Sequence, residues 1–221
     1  MDKNLETVLK YFIYFFPPLL MTGPFLPDLN LSISVIFFIF LIFKRNELYL
    51  FNNFYFKVYL VFLLYIILRS FLTLEFLSIK PSLFYFRFGF YSLLIFYFLK
   101  KNILNLKLFF FIILLTLITL YIDANIQLFT GENIFGNKMF HPERVSSFFG
   151  DELVMGGASF RIFTFIIAIL FYLNLKKKLS LSLSFLIFFM ILSLILYSSE
   201  RTATALFFMF SIVFFIFIPI K

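Results

Sequence analysis

The chain of 221 residues has no cysteine, no tryptophan and a single histidine. Without cysteine it forms no disulfide, builds no zinc–thiolate site and offers no thiol nucleophile. Charge is also scarce: only 14% of residues are charged, and 11 of those are acidic. What fills the chain instead is hydrocarbon, at 63% hydrophobic residues and a mean hydropathy of +1.05. No soluble domain of this size hides so much apolar surface, so the composition predicts an integral membrane protein, an all-α bundle without a separate soluble domain. The 41 phenylalanines accompany many Ile, Leu, Lys, Asn and Tyr, residues with A/T-rich codons. We read them as a bias of composition and not as a site signal.

A length of 221 residues leaves room for about eight spans of roughly 20 residues with short connections. Apolar runs bounded by charge and turn residues predict spans at 7–23, 29–43, 55–74, 81–99, 105–124, 153–175, 179–197 and 202–220. The first run follows Lys3 and Lys10, contains Pro17 and Pro18 and lacks a small-residue cleavage site. It reads as a retained span and not a signal peptide. GPFLPD (23–28) reads as a turn, KRNELYLFNN (44–53) as a connection and EFLSIKP (75–81) as a break before proline. No internal repeat is visible, which counts against an inverted-repeat transporter. The expected organisation is one transmembrane domain over 1–221, with a polar outer loop at about 125–152.

Lysine and arginine set the expected orientation. With the N-terminus inside, the inner segments hold 12 of the 19 basic residues and three acids, Asp2, Glu6 and Glu47. The positive-inside rule then puts the 125–152 loop outside. The type of cation also changes across the membrane. The inner set is 11 Lys and one Arg, whereas the outer set is two Lys (Lys80, Lys138) and five Arg: Arg69, Arg87, Arg144, Arg161 and Arg201. Topology needs only positive charge. Arginine adds a planar fork that grips phosphate or carboxylate through two bonds.

Depth can be counted from the inner lysines at about 1.5 Å per helical residue. Arg69 stands roughly 18 Å above Lys57, Arg87 roughly 20 Å from Lys100 and Arg161 roughly 22 Å from Lys176. In a hydrocarbon core of about 30 Å, all three lie about 8–12 Å below the outer surface. Arg201 lies near the outer boundary. Two readings stand. Each arginine snorkels to the headgroups, or together they form an anion site open to the outer leaflet, suited to a lipid-linked phosphate or pyrophosphate.

The densest polar segment is HPERVSSFFGDELVMGGASFR, from His141 to Arg161. Asp151 and Glu152 precede a predicted helix. They either cap it or act as a general base on an acceptor hydroxyl. Gly156, Gly157 and Ala158 allow close approach of another helix or of a substrate. Glu143 and Arg144 pair with each other, or Arg144 clamps an anion. His141 is either a solvated loop residue or part of the chemistry. A metal site from His141, Glu143, Asp151 and Glu152 lacks any known ligand spacing. Glu200 and Arg201 either cap or pair locally, or belong to the site.

These residues resemble the O-antigen ligase/polymerase family of bacterial inner-membrane proteins. Family members carry a pattern like RxSGxFGDExxxG before a helix; this chain reads RVSSFFGDELVMGG from Arg144 to Gly157, with Arg161 ten residues after Asp151. SLFYFRFG (82–89), DANIQLFTGENIFG (123–136), SSERTA (198–203) and GPFLPD also resemble family segments in the same order. The resemblance covers essentially the whole chain. Members run to about twice this length, with a further large outer loop, so the resemblance implies that this chain is the N-terminal part of a longer protein.

The resemblance implies a glycosyltransferase of lipopolysaccharide O-antigen or other surface-polysaccharide assembly, working at the periplasmic face of the inner membrane. It would move a polyprenyl-pyrophosphate-linked glycan to an acceptor sugar, with polymerase slightly favoured over ligase. Arg69, Arg87, Arg144, Arg161 and Arg201 are the expected pyrophosphate and glycan contacts, and Asp151 and Glu152 the expected catalytic pair. No cofactor and no metal are expected. Expected partners are the lipid-linked glycan, the bilayer, and a chain-length regulator or other assembly proteins; nucleic acid is not among them. The alternatives are a flippase for the same lipid-linked sugars and a non-catalytic membrane subunit.

Overall fold

A computed structural model of the chain describes residues 2–72, 76–139, 141, 144–152, 154–172 and 177–217. Among them the regular structure is helical, with no strand and two isolated bridges, Glu132 with Lys138 and His141 with Arg144. The helices are α1 (Asp2–Leu19), α2 (Phe25–Arg45), α3 (Phe54–Leu72), α4 (Phe76–Phe84), α5 (Phe86–Lys100), α6 (Leu106–Thr130), α7 (Met155–Tyr172), α8 (Lys177–Ser198) and α9 (Arg201–Phe217). Among the described residues four stretches are long and apolar enough to cross a membrane: Phe25–Arg45, Phe54–Leu72, Ile79–Lys100 and Leu106–Thr130. Met155–Leu170, Ser182–Ser198 and Arg201–Val213 are apolar but shorter.

The described residues of each predicted span are mostly helical, but three boundaries differ. The segment FLPD, read as turn, already lies in the first turn of α2, where proline costs no intrahelical bond. The chain before Arg87 is helical from Phe76 with Pro81 inside α4, and the interruption comes at Tyr85. There the Tyr85 N–H turns back to Ser82 O and the Phe88 N–H to Tyr85 O. Helix α6 runs six residues past its predicted end, to Thr130. The polar residues that suggested an earlier stop are satisfied by the following loop.

Contacts divide the chain into two compact units. The first holds 1–16 and 24–105. Its core is a stripe on α2 (Leu31, Val35, Phe38, Leu41, Ile42) against Leu94, Tyr97 and Phe98 of α5, with Leu9 and Ile13 of α1. Buried positions recur every three or four residues, the spacing of one helix face. At one end Arg45, the single arginine of the inner set, pairs with Glu6 and donates to Tyr97 Oη at 3.0 Å. Lys101 pairs with Glu47 at 3.2 Å, and that bond holds its ammonium above the usual lysine range.

Helices α3 and α5 meet at Gly89. A methyl group there would stand 2.1 Å from Tyr59 Cε1 and 2.3 Å from Cδ1. The ring cannot simply retreat, because the Tyr59 hydroxyl donates to Tyr85 O at the α4–α5 interruption. Gly89→Ala is therefore expected to destabilise by about 2 kcal/mol, the scale of overpacking. Thermal unfolding in detergent, with Tyr59→Phe/Gly89→Ala alongside, checks this. The double variant should recover part of the loss, since its ring is freed to shift.

The second unit holds 17–23 and 106–221. Ile113, Leu117, Leu120 and Ala124 of α6, Ile162, Phe163 and Ile166 of α7, Ile187, Ile191 and Leu194 of α8 and Phe207 of α9 are buried in it. Phe163 stacks against both Phe188 and Phe207, at 6.3 and 5.1 Å between centroids. Aromatic packing of this kind is what holds helices together where lipid removes the hydrophobic incentive.

Candidate functional site

The site residues of the second unit are set by the end of α6. Its buried stripe, Phe109, Ile113, Thr116, Leu117, Leu120, continues without a break into Asp123, Ala124 and Gln127. Asp123 and Gln127 are 0% exposed. Buried polar groups must be hydrogen-bonded, and both are saturated. Gln127 Oε1 accepts from the N–H groups of Ser146 (3.1 Å) and Ser147 (2.6 Å), and its Nε2 donates to Asn137 O at 3.2 Å. The Asp123 carboxylate accepts from Ile134 N–H at 2.8 Å and from the Ser147 hydroxyl. Asn133 Nδ2 donates to Ser147 O at 3.0 Å while its Oδ1 accepts from Phe135 and Asn137 N–H. This staple folds the polar loop onto α6. It also holds Ser147 at φ 53°, a left-handed conformation that costs a non-glycine residue about 1–2 kcal/mol.

Two residues before the staple stands Arg144, half-buried. Its Nε donates to Ser198 O at 2.9 Å, and the neighbouring Val145 N–H donates to Tyr197 O at 3.0 Å. The loop is thus tied to the last turn of α8. Neither Nη of Arg144 has a hydrogen-bond partner among the described residues. Just beyond, the chain turns at Ser199 (φ 54°) and starts α9 at Arg201. Glu200, in that turn, reaches across to α7. Its Oε1 accepts from Gly156 N–H at 2.8 Å and its Oε2 from Gly157 N–H at 3.1 Å. The first N–H groups of a helix have no partner in the helix, and the end carries partial positive charge, so a carboxylate is stabilised there. The approach needs glycine: a Cβ on Gly156 would lie 2.4 Å from Ser198 Oγ and 3.2 Å from Glu200 Cβ.

The cap on α7 is therefore Glu200, from 44 residues away, and not Asp151 or Glu152. Helix α7 starts only at Met155, and both acids lie exposed in the preceding turn. Gly150, with φ 61° and ψ −119°, makes that turn in a conformation reserved for glycine. Neither carboxylate has a partner among the described residues. His141 is exposed and bridges to Arg144 through its backbone. Glu143 lies outside the described residues, as does Lys176, from which the depth of Arg161 was counted.

The arginines fall into two groups. In the second unit Arg161 on α7 and Arg201 on α9 are exposed and have no side-chain partner among the described residues. Arg161 is four residues after Gly157 and so shares its helix face. In the first unit Arg69 is exposed on α3 without a partner among the described residues. Arg87 is engaged: its Nη1 donates to Asp28 Oδ2 at 2.9 Å and to Ser32 Oγ at 2.7 Å, and its Nε donates to Phe84 O at 3.1 Å. Asp28, in the GPFLPD segment, is thus the counter-ion of Arg87. No group of three potential metal ligands occurs among the described residues.

Asp123, Gln127 and Glu200's hold on α7 are absent from the sequence-based expectations. The first two carried a readable signal: polar residues four apart, on one face at the end of an otherwise apolar helix, are costly and need a reason. The Glu200 contact carried none, because it joins positions 43 and 44 residues apart. The chain matches no known family model, no curated protein and no solved structure.

Proposed function

We propose that the chain is a glycosyltransferase of O-antigen or surface-polysaccharide assembly, spanning the bacterial inner membrane about eight times with its N-terminus in the cytoplasm and its site facing the periplasm. The substrate is a polyprenyl-pyrophosphate-linked glycan. An acceptor sugar hydroxyl attacks the anomeric carbon as the bond from that carbon to the pyrophosphate oxygen breaks. The hydroxyl proton passes to Asp151 or Glu152, and the lipid pyrophosphate leaves. Arg144, Arg161 and Arg201 of the second unit neutralise the charge that develops on it, as fixed cations do in phosphoryl chemistry. Arg69 and Arg87 are further phosphate or glycan contacts of the first unit, Arg87 with Asp28 already as its counter-ion. Polymerase is preferred to ligase.

The observation that carries this reading is the Arg144–Ser198 bond. It joins the RVSSFFGDE segment to SSERTA, two of the segments that resemble the family. Among the described residues it leaves the two terminal nitrogens of the arginine over for an anion. Asp151 and Glu152, exposed and without a partner among the described residues, support a role toward a substrate rather than toward the fold.

The test replaces Arg69, Arg87 and Arg161 by lysine, one at a time, in protein expressed from its complete reading frame. Glycan lengthening on polyprenyl-pyrophosphate repeat units is then measured in membranes. Charge is kept and the fork is lost, so a fall of about tenfold or more is expected, the value of one charge-assisted bond. Arg87→Lys should also lose stability, through Asp28. Full activity in all three variants would rule out bidentate phosphate recognition.

A further inference from the structure

The most unusual contact in the second unit is the carboxylate of Glu200 seated on Gly156 and Gly157, and it is continuous with the seat of Arg144. Ser198 gives its carbonyl to Arg144 Nε, its hydroxyl lies where a Gly156 Cβ would be, and Glu200 follows two residues later. Arg201 comes next and opens α9. The turn 198–201 thus joins three things: the end of α8, whose Ser198 O holds Arg144, the clasp of Glu200 on α7, and Arg201 at the start of α9. The bond to Ser198 O is what fixes Arg144's guanidinium among the described residues, since its terminal nitrogens have no partner there. Ser199, between Ser198 and Glu200, is left-handed, and the Glu200 N–H donates back to Ser198 Oγ at 3.4 Å, so the two residues share one tight turn.

We infer that Glu200 is a positioning residue of the anion site: by clasping the α7 N-terminus it sets the α8–α9 turn and, through Ser198 O, aims Arg144 at the pyrophosphate of the lipid-linked substrate. The inference rests on the pyrophosphate reading above and adds the device that orients its main cation. Glu200 touches no substrate. Its loss acts by letting Arg144 and Arg201 wander, so it weakens the binding of the charged group and spares the fold of the rest of the bundle.

A double-mutant cycle in nanodiscs tests this, with polyprenyl pyrophosphate itself as the probe. Binding is measured for the wild type, Glu200→Gln, Arg144→Ala and the pair, and unfolding temperature for each. Glu200→Gln keeps size and one acceptor oxygen, but turns an amide N–H toward a backbone N–H. It is expected to raise Kd about tenfold, the loss of one charge-assisted bond. On an Arg144→Ala background the same change should raise Kd less than about twofold, because there is no arginine left to aim. Gly156→Ala, which forces the clasp open from the other side, should reproduce the binding loss. If Glu200→Gln lowers the unfolding temperature with Kd unchanged, or the two losses simply multiply, Glu200 is a cap only and the inference fails. If the wild type does not bind polyprenyl pyrophosphate at all, the pyrophosphate reading fails and takes this inference with it.

Discussion

Gln127→Ala is expected to cost about 4 kcal/mol of stability and to release the 131–152 loop. The side chain is fully buried and makes three hydrogen bonds. Truncation leaves the N–H groups of Ser146 and Ser147, both in fully buried residues, without acceptors. Each orphaned buried donor costs about 1–3 kcal/mol, whereas a hydrogen bond gained from solvent contributes far less. The exposed Asn137 can turn to water, so its carbonyl adds little. Ser147 then loses the contacts that hold it at positive φ, and Asp123 loses a settled partner. Thermal unfolding and protease cutting within 131–152 are the measurements. Asn125→Ala, two residues earlier and only half-buried, is the control, with an expected loss under about 1 kcal/mol. Equal losses for the two variants would mean that the staple does not hold the loop.

The second large effect is on turnover. Arg144→Lys keeps a positive charge but loses Nε, its bond to Ser198 O and the planar pair of terminal nitrogens. A fixed donor at a developing anion contributes about 10²–10³-fold to rate. Release of polyprenyl pyrophosphate from lipid-linked glycan should therefore slow by about 100-fold. Unfolding temperature should change little, since the side chain is only half-buried and Val145 N–H still ties the loop to Tyr197 O. A lysine variant with unimpaired turnover would remove Arg144 from the site.

The helices were legible because a membrane span announces itself by length and composition. The described residues of each predicted span are mostly helical, and the differences concern ends and the interruption at Tyr85. Helix α6 was expected to end at 124 and runs to Thr130; the polar groups of Asp123 and Gln127 are paired with the following loop while the helix continues beneath. The polar loop and its SSERTA partner were marked as important segments, but their meeting is a tertiary fact that no local pattern encodes. For the same reason Asp151 and Glu152 were offered as caps of α7, while the cap comes from Glu200. Arg87 shows the converse. Sequence counted it among the anion-binding arginines, and the fold supplies a counter-ion, Asp28, from a segment read as a turn.

Chemistry and transport make different use of a cationic site at a membrane surface, and one measurement separates them. Proteoliposomes carrying only this protein, expressed from its complete reading frame, are given a polyprenyl-pyrophosphate-linked oligosaccharide, and both the lipid and the glycan are followed. The account predicts free polyprenyl pyrophosphate together with longer glycan chains, both reduced in Arg144→Lys. Movement of intact lipid-linked glycan across the bilayer, with no pyrophosphate released and no chain lengthened, would contradict it.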